Sequence, residues 1–207
     1  MSINSYTHTV LPGSPGGPLL FVLHGTGGDE NQLVALGRDL LADATIVAPR
    51  GDVSESGAAR FFRRTGEGVY DMDDLARGTE KMAGFVKAHA EAVKPSRVLG
   101  LGYSNGANIL ASAMFLMPTL FDAAVLMHPL IPFDPVVNGS LTGRHVLITA
   151  GRRDPICPPG LTSSLESNLR AKGAGVSIAW HDGGHELRPN EIEAARMFLR
   201  PLATAGA

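Results

Sequence analysis

Two glycines flank a serine in Gly102-Tyr103-Ser104-Asn105-Gly106, directly after the apolar run Val98–Leu101 and directly before a helical stretch, Ala107–Met117. This is the G-x-S-x-G nucleophile elbow in the strand-to-helix context it requires. A sharp turn there strains the serine backbone and leaves its hydroxyl exposed at a helix N-terminus, while the flanking glycines let neighbouring chain approach closely. A hydroxyl is a weak nucleophile until a positioned base takes its proton and a third group holds that base in the right tautomer. The chain offers both downstream, in the order acid then histidine. Asp154 stands in Gly151-Arg152-Arg153-Asp154-Pro155, just past His145–Thr149, and His185 stands in Gly183-Gly184-His185-Glu186, just past Val176–Trp180. Each has a bland alternative, since Asp before Pro often starts a turn and a His after two glycines can be a loop residue. Asp182, on the same loop as His185, is the rival acid. The remaining histidines fit the role of base less well: His8 precedes the core, His89 lies in a helical stretch, His145 starts a strand and His181 ends one.

Acyl transfer through Ser104 would build a negative oxygen, which needs preorganised donors. The backbone N–H of Asn105 at the start of the helix is one. The other is expected from Thr26 in His24-Gly25-Thr26-Gly27-Gly28-Asp29, a glycine loop that lacks the lysine and spacing of a phosphate cradle. The pocket wall is expected from His24, from Phe61 and Phe62 in Arg60-Phe61-Phe62-Arg63-Arg64, from His128 in Met127-His128-Pro129, and from Ile131 and Ile156. For Phe61 and Phe62 the alternative is a long loop, Gly51–Gly68, anchored by its own aromatic pair. For His128 it is a hydrogen-bonded structural role. Cys157, between Ile156 and Pro158, lacks the surroundings that activate a thiol and is expected to be inert or part of the pocket wall.

Those groups need a scaffold that brings distant loops to one edge. Short apolar runs alternate with helical segments, the pattern of parallel strands joined by crossover helices, so the fold class is α/β. Strands are predicted at Leu19–Leu23, Thr45–Ala48, Val98–Leu101, Ala123–Met127, His145–Thr149 and Val176–Trp180, with Thr7–Leu11 at an edge. They do not alternate cleanly, as expected when both sheet faces are covered. The clearest helix runs over Asp71–Val93, with Met72, Leu75, Met82, Val86 and Val93 at helical spacing and Asp71 as N-cap. Others are predicted over Asn31–Leu41, Asn105–Met117, Leu161–Ala171 and Asn190–Leu202.

The 207 residues, 44% of them hydrophobic, suffice for one domain over 1–207. A net charge of −2, spread over 18 basic and 20 acidic residues, gives no basic face for nucleic acid. One cysteine excludes an internal disulfide and leaves no cluster with zinc-ligand spacing. No apolar run is long enough to span a bilayer, and the polar first ten residues lack the features of a secretory signal, so a cytoplasmic chain is expected.

Taken in order, Leu23-His24-Gly25-Thr26-Gly27-Gly28-Asp29-Glu30, Gly102-Tyr103-Ser104-Asn105-Gly106-Ala107-Asn108, Met127-His128-Pro129, Gly151-Arg152-Arg153-Asp154-Pro155 and Gly184-His185 resemble the phospholipase/carboxylesterase branch of the α/β-hydrolases. The resemblance covers nearly the whole chain. It implies a mostly parallel sheet with helices on both faces and little or no lid, a nucleophile at Ser104, an acid at Asp154, a base at His185 and oxyanion donors at Thr26 and Asn105. It also implies no cofactor and no metal. Hydrolysis of small carboxylic esters is the activity expected, with a small-molecule ester as partner and a homodimer left open. Acyl-thioester or lysophospholipid hydrolysis on the same scaffold is the first alternative, and a non-catalytic ligand-binding homologue is the second.

Overall fold

The apolar runs assemble into one sheet in the computed structural model, which describes residues 2–203. In chain order the elements are β1 (His8–Leu11), β2 (Leu19–Leu23), α1 (Val34–Leu40), β3 (Thr45–Pro49), β4 (Val53–Glu55), β5 (Ala58–Arg60), β6 (Arg64–Gly66), β7 (Val69–Tyr70), α2 (Met72–Val93), β8 (Val98–Tyr103), α3 (Asn105–Leu116), β9 (Ala123–Met127), β10 (His145–Gly151), α4 (Pro159–Ala171), β11 (Gly175–His181) and α5 (Pro189–Ala203). The main sheet has seven strands in the order β1-β3-β2-β8-β9-β10-β11. Only the edge strand β1 is antiparallel to its neighbour. No helix among the described residues is long and apolar enough to cross a membrane.

The strands are continuous apolar runs because each side of the sheet has its own core. Along β2, Leu19, Phe21 and Leu23 point into a core shared with α2, α3 and α4, while Leu20 and Val22 point into one shared with α1 and α5. Side chains alternate across a strand, so burial of both faces removes any polar position from the pattern. The long helix α2 starts where expected: the Asp71 side chain accepts the Asp74 amide at 3.0 Å. Its inner face carries Leu75, Met82, Phe85 and Val86, and Phe85 joins Phe21 and Tyr6 in edge-to-face contacts.

Strand β8 departs from this pattern in a way that matters for the site. Leu99 and Leu101 face the α1/α5 core, but the opposite positions are Gly100 and Gly102. A Cβ at Gly100 would meet Leu110 Cδ1 at 2.6 Å, and one at Gly102 would meet the Gly106 carbonyl oxygen at 2.6 Å. Helix α3 therefore lies closer to the sheet than any side chain on that face of β8 would allow.

The segment expected to be a loop over Gly51–Gly68 is instead two small hairpins, β4–β5 and β6–β7. In the first, Ser56 and Gly57 sit between Glu55 and Ala58 with φ of 51° and 90°. Positive φ at both central residues is what the type I′ two-residue hairpin turn requires. Strands of two or three residues carry too little periodicity to be seen in the sequence. Elsewhere the differences are at ends: β8, β10 and β11 run on to residues 103, 151 and 181, and α1 is confined to Val34–Leu40.

The close approach of α3 is testable. A Cβ at Gly106 would stand 2.2 Å from the Leu23 carbonyl oxygen, so Gly106→Ala forces backbone apart and should destabilise the fold by about 1–3 kcal/mol. Gly160, in the first turn of α4, has nothing within 4 Å of the same added atom. Gly160→Ala should be neutral or stabilise by up to ~1 kcal/mol. Urea unfolding of the two variants beside the parent checks both.

Candidate active site

Ser104 joins β8 to α3 with φ 51° and ψ −115°, a conformation in which a non-glycine residue is strained. The strain is held from both sides. The Ser104 amide donates to the Met127 carbonyl at 2.8 Å, extending the β8–β9 ladder, and the Ser104 carbonyl accepts from the Asn108 amide at 3.0 Å in the first turn of α3. Its side chain stands at the carboxyl end of the sheet, half-way along the strand order.

Strands β10 and β11 deliver the two other groups to the same edge. His185 Nε2 lies 2.9 Å from Ser104 Oγ, and His185 Nδ1 lies 2.7 Å from Asp154 Oδ2. The loops carrying them interlock: the Arg152 amide donates to the His181 carbonyl and the Arg153 amide to that of Gly183, each at 2.8–2.9 Å. Gly151 makes this contact feasible, because a Cβ there would fall 2.1 Å from the Gly184 carbonyl oxygen. Tyr103, next to the serine, donates its hydroxyl to the His185 carbonyl at 2.7 Å and so ties the imidazole loop to the elbow. Asp182 does not enter this line. Its side chain is 84% exposed and pairs with Arg152.

The Asp154 side chain is fully buried. Burial alone would raise its carboxyl, but the Cys157 amide, the His128 and His185 rings and the Ile156 amide outweigh it and hold the group below the usual carboxylate range. It is therefore an acceptor for the His185 Nδ1–H, which leaves Nε2 free to accept the serine proton. The Thr26 and Asn105 amides donate to no group among the described residues' hydrogen bonds, and both residues line the cavity beside Ser104. The loop bearing Thr26 is braced by His24, whose Nδ1–H donates to the Gly25 carbonyl and whose Nε2 accepts from the Gly51 amide at 2.9 Å. Burial, its largest influence, lowers the His24 value, consistent with a neutral ring. The Asn105 side chain is a brace as well: its Oδ1 accepts from the Phe61 amide at 2.8 Å.

In front of the serine is a cavity of about 320 Å³, lined among others by Arg60, Arg64, Tyr70, Asn108, Leu130 and Ile156. Of the residues expected in the pocket wall, Ile156 lies there. His24, Phe61, Phe62, His128 and Ile131 do not: each is buried behind it. Phe61 and Phe62 fill the core under α2, because the hairpins on either side fold that stretch inward. Ile131 belongs to the same core. His128 sits behind Asp154, with its Nδ1 2.9 Å from Asp154 Oδ2 and its Nε2 2.9 Å from Glu191 Oε1.

The wall that does face the serine comes from Asn108 of the elbow motif, from Arg60 and Arg64 flanking the aromatic pair, and from Tyr70 and Leu130, which no motif marked. Asn108 donates to the Tyr70 hydroxyl at 2.8 Å, Tyr70 donates to the Leu130 carbonyl at 2.7 Å, and the Leu130 amide donates to Asn108 Oδ1 at 2.7 Å. This closed ring joins α3, β7 and the loop after β9 into one surface. Arg60, only 3% exposed, donates to Thr26 Oγ1 at 2.7 Å and pairs with Glu55. Tyr70 and Arg60 lie on the small hairpins, so no helix or sheet period pointed to them.

A parallel sheet covered on both faces, with a strained serine on a strand-to-helix turn, an imidazole and a buried carboxylate at its carboxyl edge, defines an α/β-hydrolase. The dienelactone hydrolase family model matches residues 55–188, more than half of the chain. A putative hydrolase of Bacillus subtilis (strain 168), MhqD, is 42% identical over 184 residues, covering 88% of this chain and 92% of that one. The chain belongs to the dienelactone hydrolase family, and it is a hydrolase. Among solved structures, a protein of unknown function from Agrobacterium tumefaciens str. C58 is 59% identical, with a TM-score of 0.93 over 97% of this chain and 98% of that one. A carboxylesterase from Bacillus cereus is 36% identical, with a TM-score of 0.90 over 95% and 94%.

Cys157 also lines the cavity, yet it is 1% exposed and its thiol contacts the His128 carbonyl at 3.2 Å. Burial first, and the negative charge of Asp154 second, push the thiol well above its ordinary value. At about pH 8.5, where an ordinary cysteine is half thiolate, the native protein should resist alkylation by iodoacetamide, while urea-unfolded protein reacts stoichiometrically. Mass spectrometry of the Cys157 peptide gives the comparison.

Proposed function

We propose that this chain is a serine carboxylesterase that cleaves small carboxylic esters through an acyl-enzyme. The observation that carries the reading is the unbroken line from Ser104 Oγ to His185 Nε2 at 2.9 Å and from His185 Nδ1 to Asp154 Oδ2 at 2.7 Å, open to a cavity on the serine side. In the acylation step His185 Nε2 takes the hydroxyl proton as Ser104 Oγ attacks the ester carbonyl. The oxygen that becomes negative is stabilised by the Asn105 and Thr26 amides, the first at the N-terminus of α3. His185 then passes its proton to the departing alcohol oxygen. Water enters, gives a proton to Nε2 and attacks the acyl carbon, and collapse of the second tetrahedral species returns the hydrogen to Ser104 and releases the acid. Asp154 keeps the imidazole in the Nδ1–H tautomer and balances its charge when both nitrogens are protonated.

The size of the cavity, about 320 Å³, supports a small substrate over a long acyl chain. The Bacillus cereus relative named above as a carboxylesterase supports an ester over another carbonyl substrate. A cytoplasmic setting agrees with a single, buried, unpaired cysteine.

Ser104→Ala should lower hydrolysis of a short-chain p-nitrophenyl ester by at least ~10⁴-fold with its circular dichroism unchanged. Undiminished turnover in that variant would end the reading. Asp154→Asn, which leaves His185 in the wrong tautomer, should cost about 10³–10⁴-fold in kcat, and Asp182→Asn less than about twofold. The same enzyme assayed on matched ester, thioester and amide substrates should turn over the ester fastest. A serine that no fluorophosphonate labels would mark a ligand-binding homologue.

A further inference from the structure

Behind the triad, on the side away from the cavity, lies a second set of ionisable side chains that the reaction as written leaves unused: His128, His181 and Glu191, all buried. Their ligating atoms are close enough together to suggest a metal site. The proton positions argue otherwise. The Gly183 amide, which can only donate, points at His181 Nδ1 at 2.9 Å, so that nitrogen is bare and the ring proton is on Nε2. A cation on His181 Nε2 would move the proton to Nδ1 and set two N–H groups against each other. His181 Nε2–H instead donates to Glu191 Oε2 at 3.2 Å.

The same inventory fixes His128. Glu191 already accepts from the Thr149 hydroxyl at 2.5 Å and from the Arg188 amide at 2.8 Å, as well as from His181. Asp154 already accepts the Ile156 and Cys157 amides on Oδ1 at 2.8 and 2.9 Å, and His185 on Oδ2. Both acids are thus held as carboxylates, and each presents an oxygen 2.9 Å from one His128 nitrogen. A neutral His128 has one bare nitrogen, which would face a carboxylate oxygen lone pair to lone pair at 2.9 Å; the His181 Nε2–H, 3.5 Å from His128 Nε2, is nearer to Glu191 Oε2 at 3.2 Å and does not relieve that contact. Only the imidazolium gives every one of these contacts a proton.

Resting on the esterase reading above, we propose that His128 is a positioning residue that stays protonated throughout the cycle, clamped between Asp154 and Glu191, and that its charge restrains the proton affinity of His185. The two rings share one acceptor atom, Asp154 Oδ2, and their centroids are 5.1 Å apart. Around the His128 ring stand Asp154 and His185 on one side, Glu191 and His181 on the other, and Tyr103 edge-on at 6.0 Å, with the Cys157 thiol on its carbonyl. Its backbone holds φ at 50°, and its amide donates to the Thr149 carbonyl at 2.9 Å, so the ring is aimed by a strained turn at the end of β9. Burial opposes the charge, but the Glu191 and Asp154 contacts outweigh it and raise His128 above the ordinary histidine value.

A fixed positive charge beside the Asp154–His185 pair disfavours a second one on His185, so removing it makes the base hold its proton to higher pH. Nitrogen-15 NMR of the wild-type protein at about pH 8, where an ordinary histidine of pKa ~6.5 is neutral, should find both His128 ring nitrogens protonated. A bare nitrogen overturns the inference. In His128→Gln, the acid limb of the pH profile for fluorophosphonate labelling of Ser104 should move up by about one unit, tenfold in proton concentration. Simple loosening of the site would lower the rate without moving the limb, and an unmoved limb in a variant that melts cooperatively overturns the tuning role. If the variant does not fold, the wild-type spectrum still decides the charge. Failure of wild-type Ser104 to label would instead overturn the esterase reading, whatever the state of His128.

Discussion

A carboxylate with no exposed surface must have its lone pairs met by donors, or it takes up a proton and ceases to be an anion. Asp154 meets this condition with two backbone amides on one oxygen and two imidazole nitrogens on the other. The amides come from its own turn, so the Pro155-Ile156-Cys157 stretch after β10 has one conformation to adopt. The imidazoles come from the ends of β9 and β11, so the three neighbouring strands are registered to one another by a single side chain. Remove that acceptor and both the base in front of it and the ionised cluster behind it lose their orientation.

Convergence at this edge demands that backbone come closer to backbone than side chains permit. Gly102 and Gly106 bring α3 against β8 and β2, and Gly151 lets the Gly183-Gly184 loop lie against the end of β10. Each added Cβ would stand within 2.1–2.6 Å of a carbonyl oxygen, a separation that no rotamer change relieves. The strained φ of Ser104 depends on the same packing. The turn cannot relax while the Met127 carbonyl holds its amide on one side and α3 is pressed onto the sheet on the other. Strain at Ser104 is thus maintained by the packing of the turn on both sides of it.

The residues in line with Ser104 were legible in the sequence because each carries a local signature: an elbow between strand and helix, an Asp after one strand, a His after the next. Sheet composition was legible for a related reason, since burial on both faces leaves runs such as Leu19–Leu23 wholly apolar. The pocket was not. Phe61 and Phe62 invite a surface reading from their basic flanks, but two hairpins too short to show a period turn them into the core and present Arg60 and Tyr70 instead. His24 and His128 stand at strand ends, where a site residue is expected, yet both rings are committed to fixed partners. Glu191 left no trace at all, because an acid in the first turn of α5 looks like ordinary helix-dipole chemistry until tertiary structure places it against His128 and His181.

Under the proposed mechanism, charge explains why such a cluster should sit behind a nucleophile. With His128 protonated, Asp154 and Glu191 ionised and His185 neutral, the buried group carries one net negative charge at rest. In that mechanism, proton uptake by His185 would bring it to zero while the new negative charge would appear at the Asn105 and Thr26 amides. Without the His128 charge the resting group would carry two negative charges in a medium where each is far stronger than in water. The base would then take the serine proton readily and give it up reluctantly. A base that must accept in one step and donate in the next works best with comparable affinity for both. The imidazolium lets a deeply buried carboxylate orient the base without making it too strong to act as an acid.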